Sequence, residues 1–226
     1  MDRRQEKQRI TGIMQSSNSA KKHSKDAAYK HFSEHFLHNL IGLYARSLTN
    51  QVAADLLDKG WAFLQGTNPQ EGKIALKNVT EDVGAGNQLK TLVEVNIADI
   101  PFVVDSVRIE LARNGHTINQ FYTVAELPLL RDENGVLQDA DGEHAEEARN
   151  HELYAVFEVD WRGDEEYLAS LHTKLVKVLD DVKSAVSDWR PMQKALLSVV
   201  KTWQDSLVGD PRYDQAMLEE AKTFMM

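Results

Sequence analysis

The residues best equipped for chemistry in this chain are histidines and carboxylates. His31-Phe32-Ser33-Glu34-His35 spells H-x-x-E-H, the inverted zinc-peptidase spacing. On a helix it sets two imidazoles one turn apart, where they can share a metal. His38 falls near the same face, and Glu110 is a formal choice for a distant third ligand. A five-residue match arises easily by chance, and a partly exposed histidine-bearing helix explains it without a metal. His31 and His35 are therefore weak metal candidates, and no metal is expected. A second group, Asp99, Asp105, Arg108 and Glu110, gathers in one short stretch. Asp105 and Arg108 stand at i,i+3, the spacing of a surface ion pair, and nothing marks a carboxylate dyad. Gly84-Ala85-Gly86-Asn87 begins like a dinucleotide loop but lacks the third glycine and precedes a strand instead of following one. The chain has no cysteine, which removes thiolate catalysis, disulfides, iron–sulfur clusters and Cys-based zinc sites together. No serine or threonine stands in a nucleophile elbow, and there is no P-loop.

What remains is a corner, Asp99-Ile100-Pro101-Phe102. It joins the strand Leu89–Ile97 to a helix with the apolar stripe Val103, Val104, Val107 and Leu111, closed by Gly115. Asp99 is placed to be the N-cap, and Pro101 suits a first helical turn. Helix N-termini offer free N–H groups and a positive dipole end, which fit a carboxylate ligand. The plainer role is a capped helix that only packs.

The elements that would hold this corner follow from periodicity. Lys73–Val79 alternates as a strand, and a Gly- and Asn-rich turn over Thr80–Asn87 makes it a hairpin partner of Leu89–Ile97. Thr117–Leu130 is extended, with Pro128 marking a bulge, an edge or the end of a ladder. Asp132–Gly135 is a turn, an acidic loop covers about 138–150, and Leu153–Val159 is the clearest strand. Asp164 caps a helix carrying Leu168, Leu171, Leu175, Val178 and Val182, expected to end at Trp189 and Pro191. From Thr91 the order is strand, helix, strand, strand, helix, most of a βαββαβ ferredoxin-like unit. The missing last strand is assigned to Lys73–Val79, which as a hairpin partner lies where the fourth strand belongs. The expected fold is α+β: a permuted antiparallel four-stranded sheet with two helices on one face, flanked by N- and C-terminal helices.

The expected organisation is a disordered basic tail over 1–25, a helical segment over 26–66, the sandwich over 73–190 and further helices over 191–226. Phe32, Phe36, Leu40 and Leu43 mark the first helix of the helical segment, and Thr49 or Asn50 caps the second. The tail holds seven Lys/Arg against two acids, while the whole chain is at −9, so the body is acidic and poorly suited to a nucleic-acid surface. No apolar run approaches the roughly 20 residues of a membrane helix, and the N-terminus lacks the apolar core of a secretory signal. No nucleic-acid or membrane partner is expected, and a cytoplasmic location fits. A further helix starts near Arg212, and Met226 follows without a closing cap, as in a piece of something longer.

The stretch VEVNIADIPFVVDSVRIELARNGHTIN resembles the N-terminal region of the large bacterial NAD-specific glutamate dehydrogenases. The Pro-Phe-Val-Val-Asp-Ser-Val core and the end at Asp188-Trp189-Arg190 carry the likeness, over about residues 30–205. The resemblance implies a first ACT-type domain, a ferredoxin-like module linked with small-molecule regulation and assembly. It implies a parent enzyme that oxidises L-glutamate to 2-oxoglutarate and ammonium with NAD, its catalytic region downstream. No catalytic or cofactor-binding residue is then expected here, and no cofactor. The implied partners are the downstream catalytic region, further copies of the chain in a homo-oligomer, and a small-molecule effector. ACT domains tend to carry D-x-P-G at this corner. Phe102 replaces the glycine, so the ring is expected to wall the usual effector space, favouring subunit contact over ligand binding. The alternatives are a free-standing amino-acid-sensing module and, remotely, a zinc hydrolase built on His31 and His35.

Overall fold

The structure, a computed structural model, describes residues 3–43, 48–65, 72–82, 87–137 and 150–207, with a few isolated positions beyond. Chain order is α1 (Arg3–Ser16), α2 (Asn18–His23), α3 (Ala27–Leu43), α4 (Asn50–Leu64), β1 (Lys73–Asp82), β2 (Asn87–Ala98), α5 (Val103–Arg113), β3 (Ile118–Leu129), β4 (Asn150–Asp160) and α6 (Glu165–Leu207). The chain divides into two units, Met1–Leu179 and Asp180–Met226.

The strands form one antiparallel sheet in the order β1-β2-β4-β3. Counted from β2, this is the ferredoxin-like arrangement with β1 in the place of the last strand, so the permutation inferred from the hairpin holds. Lys73 pairs with Asn96, and the register runs unbroken to Asp82 opposite Asn87. Pro128 sits on the edge strand β3, near the end of its ladder and just beyond a bulge between Val124 and Leu127, where a missing N–H costs least.

Strand alternation sends Val93, Val95 and Ile97 to one face, opposite Phe157, Ala155 and Leu153. All six are buried, as are the stripes Val103, Val107 and Leu111 of α5 and Leu171, Leu175 and Leu179 of α6. A Cβ on Gly72 would meet both Ile97 and Leu179, which fixes α6 over this face. α5 ends in the paired hydrogen bonds of a Schellman motif, Gly115 N–H to Ala112 O at 2.9 Å and His116 N–H to Leu111 O at 3.0 Å. Gly115 has φ +81°, a conformation that suits glycine.

The other face is also covered. Tyr29, Phe32, Phe36, Leu37 and Leu40 of α3 and Leu57, Trp61 and Leu64 of α4 join Val124, Leu127, Tyr154 and Val156 of the sheet in one buried cluster. A Cβ on Gly60 would lie 3.1 Å from Phe32 and 3.2 Å from the Tyr154 hydroxyl, so the bare backbone lets α4 approach.

The expected disordered tail over 1–25 is corrected to two helices. Ile10, Ile13 and Met14 recur at helical spacing within a polar stretch and pack on the cluster. Ser17 caps α2, its hydroxyl accepting from Ala20 N–H at 2.9 Å. Asp58 of α4 accepts from the backbone N–H groups of Asn18 and Ser19 at 2.8 and 3.0 Å. Burial alone would raise the Asp58 pKa, but the hydrogen bonds from Ser17, Asn18 and Ser19 outweigh it and hold it below the usual carboxylate value.

Thr49 is the N-cap of α4, accepting from Val52 N–H. Asp164 caps α6, accepting from Tyr167 N–H at 3.1 Å. The expected helix end at Trp189–Pro191 is corrected: α6 runs on through Pro191 to Leu207. Proline removes one helical hydrogen bond and strains the turn before it, yet the ring does not stop this helix. The first unit ends at Leu179, earlier than the expected 190. In the second unit Trp189, Met192, Leu196, Leu197 and Val199 are exposed. Residues 83–86 and 138–149, and most positions beyond Leu207, lie outside the described residues. With them go Gly84-Ala85-Gly86, the acidic loop and most of the expected helix near Arg212.

Candidate functional site

The corner between β2 and α5 is built differently from its sequence reading. Asp99 is not the N-cap. α5 starts at Val103, and the N-cap is Phe102, with no side-chain hydrogen bond to the helix. The Asp99 carboxylate instead reaches across to β3 and accepts from Glu126 N–H at 2.7 Å. Its own N–H donates to His151 O at 2.9 Å. Asp99 thus pins the corner to the bulge of β3 and to the start of β4. Pro101 lies in the turn ahead of the helix.

Phe102 has φ +72° and Glu126 φ +53°; they are the two non-glycine residues with positive φ among those described. Such backbone costs an L-residue about 1–2 kcal/mol. Phe102 therefore holds a left-handed backbone conformation that favours glycine while carrying a phenyl ring. Phe102 is 68% exposed. Asp105 and Arg108 form the expected i,i+3 pair at 3.4 Å, both exposed. Arg108 also lies over the Phe121 ring, 5.0 Å from its centroid, and Phe121 stacks on Phe157. Phe121 and Tyr122 are sheet-packing aromatics on opposite faces, Phe121 against Phe157 and Tyr122 against Phe36.

His31 and His35 stack face to face with centroids 4.4 Å apart. His31 Nε2 is buried without a hydrogen-bond partner. Among the described residues no group of three or more His, Asp or Glu is placed to hold a metal ion, and the Glu110 carboxylate is taken up by Asn114 and Arg113. Burial, then the neighbouring His35, pulls the His31 pKa below the ordinary histidine value, against the pull of Ala125 O, Glu34 and Glu126. A folded-state pKa below the unfolded one means that the unfolded chain binds the proton first. The stability is whole above the unfolded value and falls as pH drops through it. Lowering pH from about 7.5 to about 5.5 is expected to lower the thermal midpoint, and His31→Asn to flatten that slope. Melting curves across the range check it.

A helix-side feature escaped the sequence reading altogether. Arg131 and Glu152 form a bidentate ion pair, Nε to Oε1 at 2.6 Å and Nη2 to Oε2 at 2.9 Å, with side chains 3% and 0% exposed. Arg131 also donates to Leu64 O and Gly135 O, and Asn96 donates to Glu152 Oε2. The Asp-Glu-Asn-Gly turn is present as expected, Asp132 Oδ1 accepting from Asn134 and Val136 N–H.

Strand order, the β2–α5 corner and the helix pair over one face define a permuted ferredoxin-like sandwich of the ACT type. A family model described as "Glutamate dehydrogenase, ACT1 domain" matches residues 32–175. The chain belongs to that family. It is similar to the NAD-specific glutamate dehydrogenase of Halomonas elongata, 33% identical over 134 residues, 59% of this chain and 8% of that protein. It is likewise similar to the NAD-specific glutamate dehydrogenase of Pseudomonas aeruginosa, 30% identical over 176 residues, 76% of this chain and 11% of that protein. The chain thus spans about a tenth of the length of these curated relatives. No solved structure matches it. Among the described residues no helix is long and apolar enough to cross a membrane. Asp99-Ile100-Pro101-Phe102 contains no glycine, so the corner after β2 does not fit the dinucleotide fingerprint.

Proposed function

We propose that this chain is the N-terminal regulatory and scaffolding region of a large cytoplasmic NAD-dependent glutamate dehydrogenase, and that it performs no chemistry itself. The parent reaction is oxidation of L-glutamate with NAD and water to 2-oxoglutarate, ammonium and NADH. Glutamate and NAD bind in the catalytic region downstream. The corner Asp99–Phe102 serves as a contact surface, with another copy of the chain in a homo-oligomer or with the rest of its own chain.

The observation that carries this reading is Phe102. A large apolar ring held in solvent on left-handed backbone gains nothing for the isolated fold and loses about 1–2 kcal/mol in backbone strain. Strain of this kind persists where a function uses it. The exposed Trp189, Met192 and Leu196 of α6 add an apolar surface in the second unit, in keeping with assembly.

Phe102→Gly tests the contact. The 226-residue chain is expected to gain about 1 kcal/mol, read as a raised denaturation midpoint. The full-length enzyme is expected to assemble at least about tenfold more weakly, read by light scattering over a dilution series. Assembly unchanged in the variant would remove the contact role.

A further inference from the structure

The sheet face beneath α3 and α4 is not uniformly apolar. One cross-strand row, Gln120–Glu158–Leu92–Lys77, spans all four strands, and the neighbouring row contains Tyr122, Val156 and Glu94. Between these rows and the residues Leu40, Val52, Leu56 and Lys59 lies a cavity of about 210 Å³. That is room for about seven waters at about 30 Å³ each, or one small organic molecule.

The charges on its floor are matched. Lys90 pairs with Glu158 at 2.7 Å and Lys77 with Glu94 at 2.6 Å. The Tyr154 hydroxyl donates to Glu94 Oε1 at 2.9 Å. Burial pushes the Tyr154 pKa well above that of free tyrosine, so it remains a neutral donor. One group is left over, and it is an acceptor: Gln120 Oε1 is buried with no hydrogen-bond partner. A stranded buried acceptor is destabilising, and a donor placed in the cavity would satisfy it. The opposite wall, Leu40, Val52 and Leu56, is alkyl, and Lys59 stands exposed at the rim.

We propose that this cavity binds a small aliphatic molecule bearing an ammonium group, with an aliphatic α-amino acid as the form that uses every wall. The ammonium donates to Gln120 Oε1 beside the Glu158 carboxylate. The alkyl chain lies on Leu40, Val52 and Leu56, and the carboxylate turns toward Lys59. The site lies on the opposite sheet face from α6 and involves no residue of the Asp99–Phe102 corner, so it stands whether or not that corner is an assembly contact.

Calorimetric titration of the intact chain with three matched probes tests it: L-leucine, 3-methylbutylamine and 4-methylpentanoate. Leucine and the amine are expected to bind in the millimolar range or tighter, and the carboxylate to bind at least about tenfold more weakly than the amine. Gln120→Leu, with an unchanged circular dichroism spectrum, is expected to weaken both amine-bearing probes about tenfold. Lys59→Ala, a surface change that leaves the floor intact, is expected to weaken leucine and leave the amine unaffected. Phe102→Gly is expected to leave all three affinities unchanged. The proposal is overturned if no probe binds the folded chain, if the carboxylate binds as tightly as the amine, or if Gln120→Leu binds leucine as well as the parent.

Discussion

Arg131→Met is expected to destabilise the chain by about 3–5 kcal/mol, the cost of leaving a buried carboxylate without its partner. Glu152 is fully buried, and its remaining hydrogen-bond donor among the described partners is Asn96. Arg131 also satisfies the carbonyls of Leu64, the last residue of α4, and of Gly135 in the turn after β3. One guanidinium therefore ties the helical layer, the turn and β4 together, and its loss orphans several acceptors at once. At this chain length the melting point is expected to fall by roughly 6–20 °C. The double variant Arg131→Met with Glu152→Met separates pair from packing. Because a buried ion pair is often replaceable by apolar side chains of similar volume, it is expected to recover most of the loss. A double variant as unstable as the single one would mean that the carbonyl contacts, and not the charge pair, carry the effect.

Phe32→Ala is expected to cost about 3–5 kcal/mol, the usual range for an emptied aromatic site that cannot collapse. Phe32 is fully buried, with ring centroids 5.2 Å from Phe36, 5.6 Å from Trp61 and 5.7 Å from Tyr154. It thus bridges α3, α4 and the sheet. The shape of the transition matters as much as its midpoint. If the N-terminal helices belong to the same cooperative unit as the sheet, the variant melts once, at lower temperature, by circular dichroism and by tryptophan fluorescence alike. Two separated transitions would show instead that the strands and α5 hold together without α3 and α4.

The local grammar of the sequence reaches far in this chain. The β2–α5–Gly115 run, the Thr49 and Asp164 caps and the edge position of Pro128 all follow from side-chain chemistry within a few residues. The place of β1 follows because a hairpin leaves its second strand little choice of neighbour. What failed has physical reasons too. Ile10, Ile13 and Met14 are diluted by seven basic residues, so the first 25 residues look like a solvated tail. Lys90, Glu94 and Asn96 share one face of β2, and Glu94 and Asn96 alternate with Val93, Val95 and Ile97, the usual mark of a face turned to water. Here the polar side chains are buried because Glu158, Lys77, Tyr154 and Glu152 answer them from other strands. That pairing is a tertiary fact no single strand displays, and the cavity on the same face was hidden with it. At the corner, Asp99 reads as a cap by type, but its partner is Glu126, whose positive φ no sequence rule anticipates. Phe102 in left-handed backbone runs against the preference of its own residue type.

The borrowed position of β1 changes the order in which the sheet can be completed as the chain leaves the ribosome. In an unpermuted βαββαβ unit the first strand keeps one edge open until a strand beyond the second helix has been made. Here that edge is closed by the preceding hairpin, across a loop whose short length keeps the entropy of closure small. All four strands have been synthesised by Asp160, before the 43 residues of α6. At about 5–20 residues per second, an unpermuted chain would expose a central strand's edge for some seconds longer. An open edge is a template for pairing with other chains. The curated relatives are about seven times the length of this chain, and a sheet that seals this edge early withholds it from whatever other chain is at hand.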